Sequence, residues 1–334
     1  VPLPQSILPK NNFRLWGEGD IGSKSYFHFN QRIKPIMSYQ SGFVAIIGAP
    51  NVGKSTLMNA LLGQKISIVS PKPQTTRNRI LGVKHLPGGQ IIFLDTPGIF
   101  SATSLLDRNI VQAALKTLSE VNLVLLMIEP FSGTVQFPET AAGRLNIEET
   151  PVFLIINKVD LVGKEKLLPL IEKAAQAFPF KEIIPLSALN RDGLDLLEKE
   201  ILAQLPEGPR YFPEDMITDL PEQFLVEELI REKIFRLLSK EVPYAAAVTV
   251  DSFRRREDKP IIHIQATIHV ERDSQKGILI GRGGQLLKKI GQSARESMEP
   301  LLGSQVFLEL WVRVEKNWRK NPKLIKRFGY EGER

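Results

Sequence analysis

The sharpest chemical signal in the sequence is Gly48-Ala49-Pro50-Asn51-Val52-Gly53-Lys54-Ser55, followed by Thr56. A loop with a glycine at each end, closed by a lysine and a hydroxyl, has the composition of a phosphate cradle. The glycines let backbone N–H groups converge on phosphate oxygens, Lys54 brings positive charge to the outer phosphates, and Ser55 can set its hydroxyl on Mg2+. Five apolar residues, 43 to 47, read as a strand before the loop, and Ser55 onward reads as a helix whose amino end faces the phosphates. An ordinary glycine turn has no need of a lysine and a hydroxyl at those successive positions.

Three further motifs follow in an order that fits the first. Asp95-Thr96-Pro97-Gly98 comes after the apolar run 91 to 94. The Asp95 carboxylate at a strand end can hold the Mg2+ shell, and Gly98 can offer its N–H to a terminal phosphate. Asn157-Lys158-Val159-Asp160 comes after the apolar run 152 to 156. There Asp160 can accept two hydrogen bonds from guanine N1–H and its exocyclic amine, a pair adenine lacks. Asn157 would support the loop, and the stem of Lys158 would cover the base. Ser187-Ala188-Leu189 would close the base pocket and counts only by its place in the series. Between the first two motifs lies the polar segment 70 to 79, in which either Thr75 or Thr76 could close over Mg2+. Lys54, Asp95, Gly98, Thr75 and Thr76 are thus the candidate catalytic set, acting on water attack at a γ-phosphate. The next residue, Ile99, cannot orient water, so slow turnover is expected.

A second chemistry sits in the last third. The stretch Gly277 to Gly284 reads as following a strand and precedes the helical pattern from Gln285, and within it Gly281-Arg282-Gly283-Gly284 reads as a turn. A Gly-x-x-Gly turn lets an RNA backbone approach closely, while an adjacent apolar groove receives bases. Lys276, Gly277, Ile280, Gly281, Arg282, Gly283, Gly284, Lys288 and Lys289 form the candidate RNA contact. Alone the turn is weak; charge distribution strengthens it. The chain of 334 residues has a formal charge of +7, and residues 271 to 334 hold fourteen Lys/Arg against eight Asp/Glu. Trp311 and Trp318 could stack on bases, but Trp311 stands in an alternating strand pattern and is expected in the core.

The elements that must carry these motifs fall into two groups. From 43 to about 204, short apolar runs alternate with helical patterns at 54 to 62, 106 to 118, 164 to 177 and 193 to 205, the rhythm of an α/β unit with a mostly parallel sheet. The stretch 80 to 94 reads as a hairpin and puts one antiparallel strand at an edge. Prolines at 206, 209, 213 and 221 mark a linker. The order beyond it is helix, strand, strand, helices, strand and basic tail, an α+β unit. The expected units are therefore a leader over 1–36, a nucleotide domain over 39–205, a linker over 206–222 and an RNA-binding domain over 223–330. With no cysteine, disulfides and thiolate metal sites are excluded. The four histidines show no ligand spacing, and no run of 18 apolar residues suggests a membrane span.

The phosphate and guanine motifs match those of translation-factor-related GTPases. Together with Pro73-Gln-Thr-Thr-Arg77, Leu225 to Lys233, Glu241-Val-Pro243 and Glu271 to Gly291, the chain from about 39 to 330 resembles the Era family. That resemblance implies a P-loop GTPase domain and a type II KH domain, GTP/GDP and Mg2+ as ligands, and K+ beside Asn51. It also implies binding to the 3′ end of 16S rRNA, assistance to maturation of the 30S subunit, and a cytoplasmic place with peripheral attachment to the bacterial inner membrane. A monomer is expected because the sequence shows no coiled coil and no unmatched long edge strand. The alternatives are an RNA-binding scaffold with a silent nucleotide domain, and a GTPase of tRNA modification, whose relatives use a C-terminal cysteine motif that this chain lacks.

Overall fold

The computed structural model describes residues 39–72, 75–96, 106, 120–131, 150–255 and 260–330. The expected leader, most of the expected helix at 106 to 118, and Pro97, Gly98 and Ile99 lie outside the described residues. Elements below are numbered over the described residues.

Strands β1 (Gln40–Gly48), β2 (Ile80–Leu86), β3 (Gly89–Asp95), β4 (Leu123–Ile128), β5 (Val152–Ile156) and β6 (Glu182–Pro185) form one sheet in the order β2-β3-β1-β4-β5-β6. All neighbours are parallel except the β2–β3 hairpin, whose outer strand is the antiparallel edge expected from the sequence. Alternate strand residues feed two cores. Val44, Ile46, Phe93 and Ile155 pack with Leu57 and Met58 of α1 (Lys54–Leu62) and Leu197 and Ile201 of α3 (Leu194–Gln204). Ala45, Ile47, Ile92 and Leu154 pack with Leu170 and Ala174 of α2 (Leu167–Ala177) on the other face. Burial on both faces explains why these strands read as unbroken apolar runs.

The proline-rich stretch is not loose. Ser41 N–H donates to Pro206 O (3.1 Å), Val83 N–H to Ile217 O (2.7 Å) and the Thr218 hydroxyl to Leu81 O (2.7 Å), while the Gln90 side chain spans Tyr211 and Phe212. An edge strand such as β2 leaves backbone groups unpaired, and this strap satisfies some of them.

The second unit has α4 (Glu222–Leu237), the short α5 (Val242–Ala245), β7 (Ala247–Arg255), β8 (Ile261–Val270), α6 (Asp273–Ile280), α7 (Gln285–Leu302), β9 (Gln305–Val314) and α8 (Pro322–Arg327). Its sheet runs β7-β8-β9, antiparallel then parallel. Val226, Ile230 and Ile234 of α4 and Ile290, Ala294 and Met298 of α7 meet Ile264, Ala266 and Ile268 on one sheet face. Two readings are corrected here. Gly277 to Ile280 lie on helix α6, so the stretch Gly277 to Gly284 does not directly follow a strand. A helical glycine costs about 1 kcal/mol and reads as a breaker. The Gln275 side chain offsets it by accepting from the N–H groups of Glu271 (2.9 Å) and Arg272 (3.1 Å). The tryptophans exchange places: Trp311 is 59% exposed, on the face of β9 turned away from α4 and α7, whereas Trp318 is fully buried with its indole N–H on Ala245 O (2.8 Å).

Candidate nucleotide and RNA sites

The four sequence motifs converge where parallel strands end. β1 stops at Gly48, β3 at Asp95, β5 at Ile156 and β6 at Pro185, so each motif starts at the carboxyl edge of the sheet, the usual ligand crevice of such folds. The loop Gly48 to Gly53 leads straight into α1, and a cleft of about 220 Å3 opens there between Asn51, Gly53, Lys54, Ser55, Thr76 and Lys158.

Asn157 is the keystone of this edge. Its side-chain amide donates to Val52 O (2.8 Å), and its Oδ1 accepts from Ala188 N–H (3.0 Å). One buried side chain therefore ties together the phosphate loop, the Asn157–Asp160 turn and the Ser187–Leu189 loop. Gly53, at φ +102, must lack a side chain because a Cβ would stand 2.3 Å from the Asn157 amide nitrogen. Replacing Asn157 with Ala strands a buried carbonyl and a buried N–H. It should destabilise the GTPase domain by about 2 to 4 kcal/mol, measured as a lower urea midpoint.

Lys158 donates to Asn51 O (2.8 Å) and pairs with Glu129, so its ammonium reaches the middle of the phosphate loop. Asp160 stands exposed in the 3-10 turn Val159–Leu161, and Leu189 is 77% exposed.

At the phosphate end, Lys54 is buried and donates to Gly48 O and Ala49 O, each at 3.0 Å. Burial lowers its ammonium pKa to about 8, with the Asp95 carboxylate opposing. The Asp95 carboxyl is raised by its own burial, against hydrogen bonds and the charge of Lys54. Asp95 Oδ2 accepts from Ser55 and from Ser67, both at 2.7 Å, and its buried Oδ1 has no partner among the described residues. Ser67 belongs to none of the motifs. Its signal is a lone hydroxyl between Ile66 and Ile68, held in place by Asn59, which accepts from both Ile66 and Ser67 N–H at 2.9 Å.

The two threonines separate. Thr76 Oγ1 lies 3.0 Å from Ser55 Oγ, whereas the Thr75 hydroxyl donates to Lys72 O (2.6 Å). The segment that carries them also touches the second unit directly, without the proline strap as intermediary. Glu232 of α4, fully buried, pairs with Lys65 (2.6 Å) and Arg236 (3.1 Å) and accepts from Val69 N–H (3.4 Å), and Lys72 donates to the carbonyls of Phe235 and Leu238.

In the second unit, α6 and α7 form a helix–turn–helix around Gly281 to Gly284. Arg282, Gly283, Lys288 and Lys289 are exposed, Lys276 and Ile280 are half-buried, and Gly277 is exposed. Gly283 and Gly284 take φ of +58° and +79°, and the space a Cβ would occupy is open at both. The start of α7 brings its positive helix end and two lysines to this turn. Ile278, 47% exposed on α6, is an apolar surface beside the turn that no motif marks in the sequence.

Comparison with known proteins agrees with both halves. Residues 43–158 match the family described as 50S ribosome-binding GTPase, and residues 241–319 match the KH domain. The chain is 53% identical to GTPase Era of Geotalea daltonii over 88% of this chain and 98% of that one, and 50% identical to GTPase Era of Ruminiclostridium cellulolyticum over 88% and 99%. Among solved structures, a single-substitution variant of Aquifex aeolicus Era bound to GDP.AlF4- superposes with a TM-score of 0.83 at 44% identity, covering 87% of this chain and 99% of that one. Era in complex with MgGDPNP and nucleotides 1506-1542 of 16S ribosomal RNA gives the same score and identity over 88% and 99%. With its P-loop, its Asn157-tied sheet edge and its glycine-turned helix pair, this chain belongs to the Era family of GTPases and joins a P-loop GTPase domain to a KH domain.

Proposed function

We propose that this GTPase is a switch whose KH domain holds the single-stranded 3′ end of 16S rRNA and assists maturation of the 30S subunit. The observation that carries the reading is the direct seating of Lys65, Val69 and Lys72 on α4 and of Arg77 on the Ala246 carbonyl, which joins the nucleotide edge to the RNA-binding unit. The relative solved with MgGDPNP and 16S rRNA nucleotides supports the choice of ligands.

The site fits Mg2+ in its chemistry. Ser55, Thr76 and Asp95 offer oxygen atoms only, and the orphaned Asp95 Oδ1 is an acceptor that a hydrated cation would satisfy. When bound, the ion would neutralise charge on the β- and γ-phosphates. Lys54 would exchange its two carbonyl partners for phosphate oxygens, and the backbone N–H groups of the Gly48–Ser55 loop would hold the remainder. Asp160 would read guanine, Lys158 would lie over the base, and Ser187 to Leu189 would border it. Gly98 would donate to the γ-phosphate, and Asn51, at φ +68, would present its side chain to K+.

In the KH domain, Gly281 to Gly284 would clamp the RNA backbone, Lys276, Arg282, Lys288 and Lys289 would meet phosphates, and Gly277 and Ile280 would border the base groove. The working units are 39–205, the strap 206–222 and 223–330. The protein would act as a monomer in the cytoplasm, with peripheral inner-membrane attachment as in the family; among the described residues no helix is long and apolar enough to cross a membrane. GTP turnover by the full chain, with and without a 16S 3′-end oligonucleotide, tests the reading. Slow turnover that the oligonucleotide accelerates is expected, and turnover indifferent to the oligonucleotide at saturation would count against it.

A further inference from the structure

Thr76 and Arg77 are neighbours whose side chains serve different domains. The Thr76 hydroxyl stands at the Ser55 and Asp95 cluster, while the Arg77 side chain is 4% exposed inside the KH domain. Its guanidinium donates to Ala246 O (2.8 Å), Tyr244 O (2.9 Å) and Pro243 O (3.4 Å) and reaches the Tyr330 hydroxyl (3.4 Å). It also lies 5.3 Å from the Tyr330 ring centre and 5.9 Å from that of Phe235. The cradle is stiff, since the intervening carbonyl, Ala245 O, is taken by the Trp318 indole.

Burying a guanidinium is expensive, and a well-packed apolar side chain would hold two surfaces together at least as firmly. What the arginine adds is geometry: a planar fork of five donors is satisfied by one arrangement of those carbonyls and is left unpaired by others. Consecutive Cα atoms are only about 3.8 Å apart, so a shift of the Arg77 seat moves Thr76 with it.

We propose that Arg77 is a positioning residue for the GTPase reaction, whose seating in the carbonyl cradle of the KH domain sets Thr76 in the metal site. KH docking and binding of the triphosphate state are then linked, and each favours the other. This rests on the reading of Thr76 as the threonine that faces the metal.

The test measures affinity of the full chain for GDP and for a non-hydrolysable GTP analogue, both with Mg2+, in the parent, Thr76→Ala, Arg77→Met and Arg77→Lys. In Thr76→Ala and Arg77→Met, analogue affinity should fall about tenfold while GDP affinity stays within about twofold, a coupling of ordinary size. Arg77→Lys, which keeps the charge and loses the fork, should fall between and repeats the test with a smaller disturbance of the fold. If Thr76→Ala loses analogue affinity but both Arg77 variants keep the parent ratio, the positioning role is overturned and the metal reading stands. Loss of GDP affinity equal to the loss of analogue in the Arg77 variants shows a structural role alone and also overturns it. If Thr76→Ala changes neither affinity, the metal reading fails, and the positioning role with it.

Discussion

Asp160→Asn should exchange the base preference of the protein, lowering affinity for GTP by about 3 kcal/mol, on the order of a hundredfold, and making xanthosine triphosphate the better substrate. The carboxylate is acceptor-only and suits two guanine donors. Xanthine carries a carbonyl where guanine carries its amine, so the parent places oxygen against oxygen there. The asparagine amide donates to that carbonyl and still accepts from N1–H. Because Asp160 is exposed and takes no part in the Asn157 network, the variant should fold as the parent does. Competition of the two nucleotides for the variant reads the result directly. An unchanged preference for guanine would remove Asp160 from the base edge.

Gly283→Asp should silence the KH domain without unfolding it. At φ +58° aspartate is among the residues that tolerate the left-handed region, and a side chain there enters open space. The cost to folding is therefore about 1 kcal/mol. For an RNA backbone the same side chain puts bulk and negative charge where phosphate must approach. RNA affinity should fall by about 2 kcal/mol or more, roughly thirtyfold, and the variant should show a shallower salt dependence than the parent. GTP affinity should be unchanged, which separates this outcome from general loss of structure. Full RNA affinity in the variant would mean that the turn is not the clamp.

Local chemistry explains why so much of the site could be read from the sequence. Gly48 to Ser55, Asn157 to Asp160 and Gly281 to Gly284 are contiguous, and each proposed function is assigned to a few neighbouring residues whose strand or helix setting the apolar pattern reveals. What the motifs left open depends on contacts between distant segments. Thr75 and Thr76 look alike in sequence, and only the register of the segment against Ser55 and Lys72 distinguishes them. Ser67 gains its role from a carboxylate 28 residues away. The exchange of Trp311 and Trp318 has the same origin. Alternation along β9 shows that its faces differ but not that α8 and its flanks cover only one end of the open face, where Phe328 packs 4.5 Å from His269. The charged residues Glu228, Arg231, Glu232 and Lys233 of α4 are buried, a fact no local motif carries, with Glu232 reaching Lys65 of the GTPase domain and pairing with Lys233.

The measurement that tests the account most directly is the affinity of the full chain for a labelled single-stranded oligonucleotide of the 16S rRNA 3′ end, taken at one salt concentration with a GTP analogue and Mg2+, with GDP, and without nucleotide. Contact of Lys65, Val69 and Lys72 with α4 leads to the expectation of binding about tenfold tighter with the analogue than with GDP. Equal affinity in all three states would contradict a nucleotide-gated KH domain and leave the two domains as independent binders on one chain.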